Sequence, residues 1–249
     1  MKTSRIRFAP DILRRLGEEL NPHPSYGIIE LVKNAYDADA KNCVVSLSNV
    51  DTTGGTVEVS DDGDGMTIDQ IEQGWLVLGH SQKLKKRCTK LGRIPAGSKG
   101  LGRLAALRLG RFARLETQPR SNASDAYRLS IDWKMFDDAS LIDDVDLEIE
   151  HVDRRPKDGH GTTIALDRLR DRVGRVEVKQ LARAMLLLAD PFGDDKLGFQ
   201  PRLVAPEFAD LEKLVAKRYF DQASFHLVAS YDGDPRHARV LSDQAEEIP

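Results

Sequence analysis

Apolar residues return at helical spacing in two early segments. Pro10 to Leu20 and Pro24 to about Asp39 each predict a helix, with a proline near the start where its missing N–H is harmless. In the second segment Ile28, Ile29, Val32, Ala35 and Tyr36 gather on one side, the side a core would take. The period then changes to two. "CVVSLSNV" and "TVEVS" alternate apolar and polar positions around "DTTGG", which predicts a hairpin. Thr67 to about Leu78 predicts a helix with Thr67 as its cap and Asp69 in its first turn, and Lys99 to Leu109 predicts another. "RFARLET", "AYRLSIDW", "VDLEIEHV" and "GTTIAL" predict strands, the second with Tyr127, Leu129, Ile131 and Trp133 on one face. Helices first and a series of strands afterwards predict an α+β two-layer sandwich, with helices on one face of a mixed, mostly antiparallel sheet.

Beyond Asp167, "EVKQLARAMLLLADPF" predicts a helix stopped by Pro191, "GFQPRLVAP" a strand, "FADLEKLVAKRYF" a helix and "SFHLVASYDGDPRHARVL" a hairpin. A hairpin without further partners is only marginally stable. Residues 206–249 therefore read as the start of an incomplete second domain, after a first domain over 1–205.

Composition narrows the class without deciding the function. The 249 residues are 40% apolar and 31% charged, as in a globular chain of one domain or a little more. A net charge of −3 gives no general affinity for nucleic acid, although local basic patches stay open. Cys43 and Cys88 form neither a disulfide framework nor a zinc spacing, which points to a reducing cytoplasm. No apolar run approaches a membrane span, and "MKTSRIRFAPDILRRL" has no signal-peptide core.

Candidate chemistry lies in three stretches. In "ELVKNAYDADA" the polar residues Glu30, Asn34 and Asp37 fall within roughly 40° of one another on the helix. Taken alone, such a stripe reads as solvated surface. In "VSDDGDGMT" a strand ends in aspartates and enters a turn with glycines at 63 and 65, which can wrap closely around a ligand. Asp61, at the strand end, would present a carboxylate into the sandwich, where a ligand amine could compensate it. Surface turns and calcium loops share parts of this pattern, but the later glutamate of a calcium loop is missing. In "GSKGLGRLAALRLG" a glycine-rich turn opens a helix and suits phosphate. "GRIPAGSK" imitates a P-loop with Ser98 and Lys99 in the wrong order, and "GLGRLA" imitates a dinucleotide fingerprint without its first strand. Between Gly79 and Gly97 stand Lys83, Lys85, Lys86, Arg87, Lys90 and Arg93 with no acidic residue, as in a solvated loop or a mobile lid over a polyphosphate.

In this order the stretches resemble the GHKL ATPases, the superfamily of DNA gyrase, the ninety-kilodalton heat-shock chaperones, histidine kinases, MutL and the MORC proteins. "ELVKNAYDADA" is similar to the ExxxNxxDA box, "DDGDGM" to DxGxG, "GSKGLG" to GxxGxG, and "HGTTIAL" to the short strand that closes the adenine pocket. The resemblance covers roughly residues 10–170 and is closest to the bacterial MORC-like or chaperone-like branch. It implies a Bergerat-type sandwich, with ATP and Mg2+ as ligands. Glu30 would activate the attacking water, Asn34 would hold the magnesium, and Asp37 and Ala38 would lie near the nucleotide. Asp61 would accept from the adenine amino group, with Thr162 as its partner through water. Gly63, Gly65 and Met66 would line base and ribose; Gly97, Ser98, Lys99, Gly100, Leu101 and Gly102 would approach the phosphates. "LGHSQK" resembles a MORC-type lid segment and adds Ser81 and Lys83. The implied activity is a low-turnover ATPase acting as a nucleotide-controlled dimerisation switch of a longer protein, with an ATP-dependent homodimer and no membrane as partners. The alternatives are an ATP sensor without productive hydrolysis and the ATPase part of a DNA-processing protein. Against the sensor, no helical segment with a phosphoacceptor histidine precedes the boxes, and the histidines look scattered.

Overall fold

The computed structural model describes residues 5–20, 23–79, 88–97, 102–122, 124–153, 159–189, 198–215, 227–230 and 239–242. Two compact units emerge, Met1–Val215 and Ala216–Pro249. In the first, α1 (Asp11–Leu20) and α2 (Pro24–Asp37) precede a hairpin of β1 (Asn42–Ser48) and β2 (Thr56–Asp61). Next come α3 (Ile68–Gln70), α4 (Gly102–Leu107), β3 (Gly110–Gln118) and β4 (Ala126–Asp132). The unit ends with α5 (Trp133–Asp137), β5 (Ile149–Val152), β6 (Gly161–Leu169), α6 (Arg175–Leu188), β7 (Gln200–Val204) and α7 (Ala209–Val215). The second unit contains an antiparallel pair, β8 (Leu227–Ser230) with β9 (Arg239–Ser242).

The sheet runs β5-β4-β3-β6-β2-β1-β7, antiparallel throughout except where β1 meets β7. Its register carries one transverse row across every strand: Leu203, Val45, Val59, Ile164, Leu115, Leu129 and Ile149. Side chains alternate faces along a strand, so this row lies on the covered face, where Val45 and Leu129 are buried. Helix α2 packs on β1 and β2 and against α4 and α6. The opposite face is polar, with Glu116 paired to Arg128 at 2.9 Å and Glu150 beyond it. This is the α+β sandwich that the alternating strands predict. Among the described residues no helix is long and apolar enough to cross a membrane.

Three elements differ from the sequence reading. The helix expected from Thr67 to Leu78 is a short turn, Ile68–Gln70, closed by a reciprocal Thr67–Gln70 cap. It continues as one wide turn over Ile71–Trp75, with the Leu76 N–H bonded to the Ile71 carbonyl at 2.8 Å. Gly74 weakens regular helix there, and the wide turn still buries Ile71 and Trp75. Trp133 does not extend its strand. Asp132 accepts the Lys134 N–H at 2.9 Å and starts α5, while Trp133 remains buried and donates to the Leu107 carbonyl at 2.9 Å. Only Ile149–Val152 of "VDLEIEHV" pairs as strand.

Candidate functional site

Strand alternation decides which aspartate faces inward. Val57, Val59 and Asp61 point to the same side of β2, so Asp61 is the polar end of a buried apolar file. Its strand partner Cys43 is fully buried, and burial, then the Asp61 and Asp62 charges, push that thiol well above its ordinary value. Asp61 Oδ1 accepts the Gly63 N–H at 2.8 Å and the Thr162 N–H at 3.3 Å. Its neighbours turn elsewhere. Asp62 caps the start of β1, accepting from the Lys41 and Asn42 amides at 2.7 and 2.8 Å. Asp64 pairs with Lys90 at 2.7 Å and Arg120 at 3.1 Å.

The turn after Asp61 is held from several sides. Asp64 N–H donates to the Ala38 carbonyl at 2.8 Å, which joins the turn to the end of α2. Met66 N–H donates to Thr117 Oγ1 at 2.9 Å, and Thr117 and Thr162 share a hydroxyl bond at 3.0 Å. Gly65 has φ 63°, and a Cβ there would overlap the Gln118 carbonyl and approach Pro119 Cα to 3.0 Å. A Cβ at Gly63 would lie 2.9 Å from Asp61 Oδ1 and 2.8 Å from the Ala38 carbonyl oxygen. The backbone therefore passes close to both the Asp61 carboxylate and the Ala38 carbonyl, an approach that only glycine permits. Thr162 reaches Asp61 directly through its N–H, a bond that the pattern of residue types did not reveal.

The helical stripe faces the other half of the site. Glu30 lies against the first residue of α4: a Cβ at Gly102 would come within 2.7 Å of Glu30 Cγ. Lys33 Nζ donates to Glu30 Oε1 at 2.7 Å. One turn before, Gly27 lets α2 and α4 touch, since a Cβ there would meet Ala106 Cα at 3.0 Å. At the other end of the stripe, Asp37 accepts the Ala96 N–H at 2.7 Å and the Gly97 N–H at 3.1 Å. The glycine-rich segment therefore enters beside Asp37 and leaves beside Glu30, about 10 Å apart along α2, with the half-buried Asn34 between them. Ser98, Lys99, Gly100 and Leu101 lie outside the described residues, as do Ser81 and Lys83.

The end of the basic loop is fastened to the protein. Arg93 donates to the Tyr36 and Ala40 carbonyls at 3.2 and 2.7 Å and covers the Tyr36 ring at 5.0 Å. Leu91 N–H donates to the buried Asp39 at 3.3 Å. Lys90 and Arg93 thus already have protein partners, which the run of like charges concealed. His160 Nδ1 lies 2.7 Å from the Gly63 carbonyl, which ties this histidine to the glycine turn that follows Asp61.

Among the described residues no group of three or more His, Cys, Asp or Glu side chains could hold a metal ion by itself. A magnesium ion keeps most of its waters and takes one or two protein oxygens beside phosphate, so the single amide of Asn34 fits that role. The family described as histidine kinase-, DNA gyrase B-, and HSP90-like ATPase matches residues 24–162. A Herpetosiphon aurantiacus protein, provisionally named type II restriction enzyme HgiDII, is 28% identical over 110 residues, 44% of this chain. The match spans 17% of that protein's own length.

Proposed function

Because the chain belongs to the histidine kinase-, DNA gyrase B- and HSP90-like ATPases, an ATP-binding family, we propose that it hydrolyses ATP with magnesium and switches conformation within a longer protein. The observation that supports this reading is that the turn holding Asp61, Gly63 and Thr162 is bonded to the end of α2, the helix that carries Glu30, Asn34 and Asp37 on one stripe. Asp61 would accept the adenine amino group in a site whose turn is already bonded. Asn34 would hold magnesium, which neutralises charge on the phosphate oxygens when bound. Glu30, one helical turn away, would take the proton of the attacking water. A positioned base of this kind contributes about 100- to 10,000-fold. The Glu30–Lys33 pair does not oppose this. Both side chains are about 30% exposed, and such pairs hold by only about 0–1 kcal/mol, less than a bound triphosphate can supply.

Titration with a labelled ATP analogue tests the base end. Replacing Asp61 with Asn removes a charge-assisted hydrogen bond of about 1.5–3 kcal/mol, so affinity should fall at least about tenfold. Equal binding by both forms would put the adenine pocket elsewhere. Withdrawing magnesium should weaken ATP more than adenosine. The switch has its own readout: a non-hydrolysable analogue should raise the mass seen by light scattering towards that of a dimer. An unchanged mass at saturation would remove dimerisation from the reading for this stretch of chain.

The provisional restriction-enzyme name of the Herpetosiphon relative favours a second reading, in which the ATPase serves DNA processing. ATP turnover that rises on adding duplex DNA supports it. Turnover indifferent to DNA in the full-length protein counts against it.

A further inference from the structure

We propose that His160 is a positioning residue for nucleotide binding, which holds the Gly63 carbonyl and thereby sets the direction in which Asp61 meets the base. The proposal rests on the reading of Asp61 as the adenine acceptor. Gly63 is gripped on both sides: its N–H donates to Asp61 Oδ1 at 2.8 Å, and its carbonyl lies 2.7 Å from His160 Nδ1. A carbonyl can only accept, so Nδ1 carries the proton in this contact.

The backbone delivers the ring to that place. Gly159 and Gly161 flank His160 with φ of 114° and 126°, a region that residues with side chains rarely adopt. The chain therefore bends on both sides of one histidine. The residues that follow continue the grip: the Gly161 carbonyl accepts from Thr117 Oγ1 at 3.2 Å, and Thr162 N–H donates to Asp61 at 3.3 Å. Thus His160 and Thr162 hold Gly63 and Asp61 from the β6 side, and Gly161 bonds Thr117, which accepts from Met66 of the turn. A turn with glycines at 63 and 65 has many accessible conformations, and the bond from His160 selects one of them. Without it the carbonyl of the buried Gly63 loses this donor, and the peptide beside Asp61 can rotate.

Two substitutions separate this role from plain packing. His160→Leu fills similar space without a donor. His160→Asn places an N–H the same number of bonds from the backbone as Nδ1. Isothermal titration with a non-hydrolysable ATP analogue should show a loss of about three- to tenfold for His160→Leu. Affinity should return to within about twofold of the unaltered protein in His160→Asn. Magnesium tripolyphosphate, which has no base, should bind all three forms equally. Unchanged analogue affinity in His160→Leu, an Asn variant as weak as Leu, or a parallel loss of tripolyphosphate would each overturn the proposal. If the unaltered protein binds tripolyphosphate but gains nothing from the adenosine part, the reading of Asp61 fails first, and this proposal with it.

Discussion

At the end of the site proposed to take the base, Asp61, Thr117, Thr162 and His160 come from neighbouring strands and the entry to β6, and hydrogen bonds join them to the glycine turn. At the proposed phosphate end, Glu30, Asn34 and Asp37 come from one helix; Asp37 accepts from Ala96 and Gly97, and Glu30 lies against Gly102. The difference follows from the backbone each uses. Strand side chains stand on a surface whose register is set by the whole apolar row, so their positions are inherited from the core. Helix side chains share a face, but what they touch depends on a segment that must be brought to them. The proposed base end is therefore closed by protein hydrogen bonds, whereas the proposed phosphate end offers anchor points at Ala96, Gly97 and Gly102.

The largest break in this contrast comes from Glu30→Ala. It should lower single-turnover hydrolysis by about 100- to 10,000-fold while analogue binding stays near that of the unaltered protein. Turnover at the parental rate would show that Glu30 is not the base. At the base end, Gly65→Ala should act on the fold instead. A side chain at φ 63° that overlaps the Gln118 carbonyl costs about 2 kcal/mol or more, which lowers the melting temperature by at least about 4 °C. A melting temperature equal to the parent's would mean that the turn is not rigid.

A smaller effect belongs to Asp37→Asn, which keeps the shape but weakens acceptance from the Ala96 and Gly97 amides. Affinity for magnesium tripolyphosphate should fall by about two- to tenfold, with adenosine binding unaltered. Loss of adenosine binding alone would reverse the assignment of the two ends. The least effect lies outside both. Arg175 holds the exposed Asp210 carboxyl below its ordinary range, first through their hydrogen bond. A depressed folded value means that the pair contributes above the unfolded carboxylate range, about pH 4, and is lost as pH falls through the lower folded value. Arg175→Ala should slightly flatten the acid loss of melting temperature and leave nucleotide binding alone. A change in binding would mean that α6 and α7 influence the site.

Much of the base end was legible in "TVEVSD", because period-two alternation puts Val57, Val59 and Asp61 on one side and ends the file at a glycine turn. The stripe on α2 was legible as a stripe, since helical spacing is local. Its partners were not. Asp37 meets Ala96 and Gly97, and His160 meets Gly63, across separations that only the folded sheet brings together. The same limit explains Lys90 and Arg93. A run of basic residues reads as repulsive until Asp64 and the carbonyls at the end of α2 are in place. Trp133 was legible as buried but not as helical, because Asp132 can either continue a strand or cap a helix.

Hydrogen exchange followed by mass spectrometry, with and without a non-hydrolysable ATP analogue and magnesium, tests the contrast most directly. Without ligand, the amides of Gly63, Met66 and Thr162 should already exchange slowly, since each has a protein acceptor. With ligand, the further slowing within residues 79–97 should fall outside Leu91, Ala96 and Gly97, whose amides already have protein acceptors, and should extend to the start of α4. Fast exchange at Gly63, Met66 and Thr162 before ligand is added would contradict a preformed base end. No slowing anywhere at saturating analogue would contradict the nucleotide site itself.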